Sequence, residues 1–459
     1  MRVHVSRTCG VVSFLNDQHA APTRVNPIHI LLFFFCAASA CVPPVPETLF
    51  GAAELLMLGL VAVLIFCSWI VPLPPSVGSL EQSLSHSVLF LVFAWLVSSV
   101  NLFICDELTV DGYFRGLAPL LGVMTFRVGQ QFRTVRSAFI LLSAVTMAGL
   151  LSALNGSFDA IRYGLIDPND FSSSIHFRSL LDSKFFDALV LSLPIALIGG
   201  GLIGTVSTKG PLLGLGAILF LFSLLTLMRS GIVIAACVLL FEMAIIFRTR
   251  LLWTRFWRRV PLIILLVGLL EVASCMSILA GLRVPSVFRA VGAIGGRHQL
   301  ISDQMDDGVG AYRLVEAVAA WERFSESPVI GHGLGSTVSV IFDGTTEVDR
   351  YSMRYTHNFF TYILYTCGLI GITAAARFFL VAFRLMIRAG GLASTSPEPG
   401  IDMALVLLVL AMLIYIQFQS IFRSATYFMM LGLVLGCLAA RVSHLSKSMA
   451  TRQGGQVHA

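Results

Sequence analysis

The side chains that could do chemistry in this chain gather between Ala311 and Ile372. The stretch begins AYRLVEAVAAWERFSESPVIGHGLGS and closes, after a polar insert, with THNFFTYILYTCGLIGI. His357 sits with Asn358 at the start of an apolar run, and Thr361, Tyr365 and Gly368 follow at 4, 4 and 3 spacing, so all four share one helical face. A histidine at a membrane boundary can act as a general base near neutral pH, or it can be an interfacial group satisfied by the backbone. Upstream, Gly331, Gly333 and Gly335 alternate through GHGLGS and end at Ser336. Alternating glycines can open backbone N–H groups into an anion cradle, and they can equally form a plain turn. His332 and His298 read as exposed loop histidines.

Leu314, Val315, Val318, Trp321 and Phe324 recur at helical spacing, with Arg313, Glu316, Ala320 and Arg323 on another face. This predicts an amphipathic helix lying against the membrane surface, and Arg313 and Glu316 on it could be a solvated i,i+3 pair. Arg229, in TLMRSG, is the most informative single charge. An arginine beside an apolar run marks a function, a pairing or a snorkelling anchor. Glu242 and Glu271 fall inside apolar runs, where they would pair with arginines or line a polar pathway. HEXXH and Walker patterns are absent, and the scattered histidines have no metal-ligand spacing, so neither a metal nor another cofactor is expected.

The elements that must position these residues are membrane helices. Of 459 residues, 56% are hydrophobic and only 12% charged, against about a quarter charged in soluble domains. The net charge of +6 needs no nucleic-acid partner, because arginines in short connections explain it. The nine cysteines follow no disulfide or metal pattern. At about 20 residues per span, an all-α polytopic membrane protein of about 12 transmembrane helices is predicted, at 28–42, 48–71, 87–104, 109–126, 137–154, 187–204, 211–229, 231–247, 260–280, 357–383, 402–420 and 424–441. HILLFFFCAASAC resembles a signal-peptide end, but an uncleaved first helix is the expectation.

Lysine and arginine asymmetry orients the bundle. With the N-terminus cytoplasmic, Arg127, Arg133, Arg136, Lys209, Arg248, Arg384, Arg388 and Arg441 all lie inside, while the short outer connections hold few basic residues. The expected organisation is a cytoplasmic tail over 1–27, helices one to nine over 28–280, a large outer loop over 281–356, three helices over 357–441 and a second cytoplasmic tail over 442–459. The large loop carries the Ala311 to Tyr355 chemistry, and Arg229 lies at the outer end of helix seven.

MRSG at a helix end, Arg313 and Trp321 as R-x7-W, SPVIGHGLGS, and THN opening a helix with CGLIG together resemble the O-antigen ligase and polysaccharide polymerase superfamily of bacterial inner membranes. The resemblance covers roughly Pro211 to Phe383. It implies a metal-independent glycosyltransferase acting on the periplasmic face, with no cofactor. The donor would be a glycan on undecaprenyl diphosphate, and the acceptor another lipid-linked glycan in a polymerase or the lipid A core in a ligase. Chain-length regulators and export machinery would be partners beside membrane lipids. By the same resemblance His357, Arg313 and Arg229 are catalytic, and Gly331, Gly333, Gly335, Ser336, Asn358 and Trp321 bind substrate. A flippase or exporter of lipid-linked sugars is the rival from another class, although the two halves differ and no central cytoplasmic linker divides them.

Overall fold

The computed structural model describes residues 79–101, 118–162, 184–226, 229–248, 309–333, 336–344, 347–353, 356, 358–417 and 425–457, with isolated positions at 31, 32, 59, 62, 63, 66 and 254. Among them are ten helices: α1 (Ser79–Asn101), α2 (Ala118–Gly129), α3 (Val135–Arg162), α4 (Lys184–Ile203), α5 (Val206–Thr226), α6 (Arg229–Arg248), α7 (Val309–Glu326), α8 (Phe359–Ala393), α9 (Pro399–Tyr415) and α10 (Ala425–Val457). Three long apolar segments, Ser79–Ser98, Phe359–Ala393 and Tyr427–Thr451, are long enough to cross a membrane. The chain is a helical membrane protein. Helices one, two and nine of the sequence reading lie almost wholly outside the described residues.

Both faces of α1 are apolar. Leu84, Val88, Leu91 and Trp95 point into the bundle, while Leu89, Phe93 and Leu96 remain more than half exposed. A helix of a water-soluble protein would carry polar groups on that outer face, whereas lipid solvates it without cost.

Three features differ from the sequence expectation. The loop over 281–356 is not wholly irregular or helical: Val338–Gly344 (β1) and Glu347–Met353 (β2) pair antiparallel in a hairpin, with Val338 opposite Met353 and Gly344 opposite Glu347. The last helix does not stop near residue 441 but continues to Val457, because hydropathy falls there while helix-forming residues persist. The span predicted at 357–383 begins at Phe359 and is interrupted, as described below.

Close packing in the bundle is set by small residues. Helices α2 and α10 meet through Gly122 on one and Gly432 and Gly436 on the other. A Cβ at Gly122 would come 2.7 Å from the Phe428 carbonyl oxygen, and a Cβ at Gly436 or Gly432 would also meet backbone of α2. Such a small-xxx-small spacing lets helices pack backbone to backbone where no hydrophobic force favours helix over lipid. Across the same contact the Thr125 hydroxyl donates to the Met429 carbonyl at 2.7 Å.

One end of the bundle holds a buried polar network. Arg441, 1% exposed, donates from Nε and Nη2 to the two oxygens of Asp402 at 2.7 and 2.8 Å, and from Nη1 to the Arg133 carbonyl at 3.0 Å. Glu81 accepts from Gln130 and Arg133. Glu398 accepts from the hydroxyls of Thr205, Ser207 and Thr208, tying the α8–α9 connection to the start of α5. Arg133 and Arg441, and the turn that precedes Lys209, are thus gathered at one end of the bundle.

Candidate functional site

Gly368 divides α8 into two arms. It has φ 61° and ψ −156°, a region open essentially to glycine alone. The rings of Phe359 and Phe360 lie 6.1 and 5.2 Å from that of Phe379. Residues 19 or 20 apart in a straight helix would be separated by about 30 Å, so the short arm before Gly368 folds back against the long one. The expected single span from 357 is therefore a bent pair, and the face shared by Thr361, Tyr365 and Gly368 ends at the bend.

The break is filled by the glycine-containing turn at 327–333. In an unbroken helix the N–H groups of Leu369 and Ile370 would bond the carbonyls of Tyr365 and Thr366. Here Leu369 donates to the Pro328 carbonyl at 2.9 Å and Ile370 to that of Val329 at 3.2 Å, while the freed carbonyls of Tyr365 and Thr366 accept from His332 and Gly333, each at 2.9 Å. Gly331 (φ 72°) and Gly333 (φ 91°) permit the path, and Gly331 donates to the Ser327 carbonyl at 3.0 Å. Of the two readings of this run, an anion cradle or a plain turn, the amides of Gly331, His332 and Gly333 fit the second, since all three are engaged with backbone carbonyls. Sequence reasoning saw the glycines at both places but not that they lock together.

Gly368→Ala should cost about 1–3 kcal/mol from the glycine-only backbone alone. The added Cβ would also lie 2.5 Å from the Val329 carbonyl oxygen. A lowered unfolding midpoint with faster proteolysis at 327–333 checks this, and an unchanged midpoint contradicts it.

Asn358 caps α8. Its Oδ1 accepts from the N–H groups of Phe360 and Thr361 at 2.8 and 3.2 Å, and its Nδ2 donates to the Gln417 carbonyl at 3.2 Å, joining the starts of α8 and the end of α9. Thr356 donates to the Asn358 carbonyl at 2.9 Å and its hydroxyl lies 2.8 Å from that of Thr361. His357 itself lies outside the described residues, but its neighbours on both sides are fixed. Thr356 was missed by the sequence reading, which placed Thr361 only on the helical face below His357, although T-x-N-x-x-T spacing is a capping pattern that could have shown the pair.

Helix α7 runs into the same turn. His332 is buried, and its Nε2 lies 2.6 Å from the Arg323 carbonyl and 3.6 Å from Glu326 Oε2. The expected exposed loop histidine is instead a link between the α7 end and the α8 break. The helix also faces differently from expectation. Glu316, Ala319, Ala320 and Phe324 are buried, whereas Val318 and Trp321 are 50% and 60% exposed. The two alanines let α7 approach closely, and Glu316 is buried with them rather than solvated. Trp321 stands on the outer face.

Arg313 occupies the second turn of α7, and Arg229 is the first residue of α6 rather than the last of the helix before it. The side chains of both lie outside the described residues, as do Gly335, Glu271 and His298. Ser336 is buried, its hydroxyl donating to the Gly333 carbonyl at 2.9 Å.

Below Asn358 a small, half-open apolar cavity of about 50 Å³ lies between α1, α2, α8, α9 and α10, walled by Phe126, Phe359, Phe378, Phe379 and Phe428. It begins one residue past Asn358. A polar knot at the head of α8 is thus continuous with an aromatic-lined space. No protein-family model matches the chain, and no curated protein is similar to it.

Proposed function

We propose that the chain is a bacterial inner-membrane glycosyltransferase that polymerises repeat units of a surface polysaccharide from an undecaprenyl-diphosphate-linked donor. The single observation that carries the reading is the junction at Asn358 and Phe359, where polar loop residues meet an apolar cavity. A lipid-linked sugar has the same two-part chemistry, with a polar head joined to a long apolar chain. On this reading the 281–356 loop is periplasmic and both termini are cytoplasmic.

The reaction breaks the bond between the anomeric carbon and the diphosphate and forms a glycosidic bond to the acceptor hydroxyl. Arg229 and Arg313 hold the departing diphosphate, since guanidinium forks match phosphate oxygens and keep their charge. His357 takes the proton of the attacking hydroxyl. In-line attack inverts the anomeric carbon. A ligase passing the glycan to lipid A core would use the same donor and the same three residues.

The test is reconstitution of the purified protein in liposomes with lipid-linked donor. New glycan linkages without translocation are the expected result. Translocation without new linkages would make the protein a flippase, and transfer to lipid A core but not to a second lipid-linked glycan would make it a ligase.

A further inference from the structure

Glu242 lies on the buried stripe of α6 formed with Ile234, Val238, Ile245 and Ile246, and it is 1% exposed. Neither carboxylate oxygen has a hydrogen-bond partner among the described residues. The side chain sits where α4, α6 and α9 meet: a Cβ at Gly199 would come 2.8 Å from Glu242 Oε2 and would also meet the Leu407 side chain.

The charged groups of the surrounding helices are committed elsewhere or stand outside. On α9, Asp402 is closed on Arg441, and Glu398 at its start holds three hydroxyls. On α8, Arg377 donates to Ser87, Arg388 donates to Ser446, and Arg384 is exposed. On α4 the charged residues Lys184 and Asp187 belong to the opposite end of the helix, and on α6 itself Arg229 and Arg248 are its terminal residues. Among the described residues, then, no arginine pairs with Glu242.

An unpaired carboxylate in apolar surroundings is far too costly to bury as an anion. We propose that Glu242 is an intramembrane proton-binding site, holding its proton at neutral pH and exchanging it through the Glu398 end of the bundle. The depth fits. Glu242 is six residues from Arg248 at the end of α6, about 9 Å at 1.5 Å per residue, and Gly199 is four residues from Ile203 at the end of α4, about 6 Å. The hydroxyls of Thr205, Ser207 and Thr208 around Glu398 stand between that depth and the end of the bundle. This site is independent of the glycosyl-transfer reading, which makes no use of Glu242.

Infrared spectroscopy of the full chain in lipid nanodiscs tests the proposal. A protonated-carboxyl C=O band present at neutral pH should shift in D₂O and vanish in E242Q, while E242Q keeps the wild-type unfolding midpoint because the amide replaces the neutral acid at equal volume. Dicyclohexylcarbodiimide provides a second readout on the unaltered protein. The acid proton passes to a carbodiimide nitrogen as the carboxyl oxygen bonds the central carbon, and rearrangement leaves a stable N-acylurea. Peptide mass mapping should find that adduct on Glu242, and its yield should fall as the pH is raised. A band that survives in E242Q, or a Glu242 that stays unmodified at every pH, overturns the assignment.

Discussion

Arg441→Ala should destabilise the protein by about 3–5 kcal/mol, enough to unfold it in mild detergent, because Asp402 would be left buried with an uncompensated charge. Asp402 is 2% exposed, and both of its oxygens are held by Arg441. The loss would not end with the ion pair, since the same guanidinium ties the α2–α3 connection through the Arg133 carbonyl. Asp402→Leu combined with Arg441→Met should recover most of the loss, as an apolar pair of similar volume often equals or exceeds a buried ion pair. Denaturant unfolding of the three variants in one detergent checks the order. Equal midpoints for Arg441→Ala and wild type would mean that the network contributes nothing.

His357→Ala should lower glycosyl transfer by about 10²- to 10⁴-fold, the range for loss of a positioned general base. Long polymer should disappear and single lipid-linked repeats accumulate, with protein level and unfolding midpoint unchanged. Arg229→Lys and Arg313→Lys should retain part of the activity lost in the alanine variants, since lysine keeps the charge but not the two-pronged donor. Asn358→Ala separates position from chemistry. It removes the cap of α8, worth about 1 kcal/mol, and it should reduce both stability and transfer, whereas His357→Ala reduces transfer alone. Normal polymer in cells making His357→Ala at wild-type levels would dismiss the histidine as base.

The helical class and the existence of α7, though not the face it buries, were legible because each follows from one periodicity. Long apolar runs have few alternatives. What could not be read depends on pairings between distant segments. Gly368 looks like any small residue in a membrane helix until Pro328 and Val329 supply the acceptors that make a break tolerable. The inward turn of Glu316 depends on how closely Ala319 and Ala320 approach α8, which helical periodicity does not report. The β1–β2 hairpin was passed over because its strands are half polar. Yet Val338, Val340 and Phe342 alternate with Ser339 and Ile341 in a pattern close to period two, and Gly344 stands at the turn.

The exchange of four backbone hydrogen bonds between 328–333 and the α8 break bears on how the protein could be recombined. Loop and helix share one register, so a single-residue insertion between Val329 and His332 would put the bonds made by Pro328 and Val329 out of step with those made by His332 and Gly333. A chimera that grafts the outer loop of another protein at the apparent membrane boundary near Phe359 would separate partners that complete each other. The smallest transferable unit is the continuous segment from α7 through the second arm of α8, in which the boundary between loop and membrane helix is not a seam.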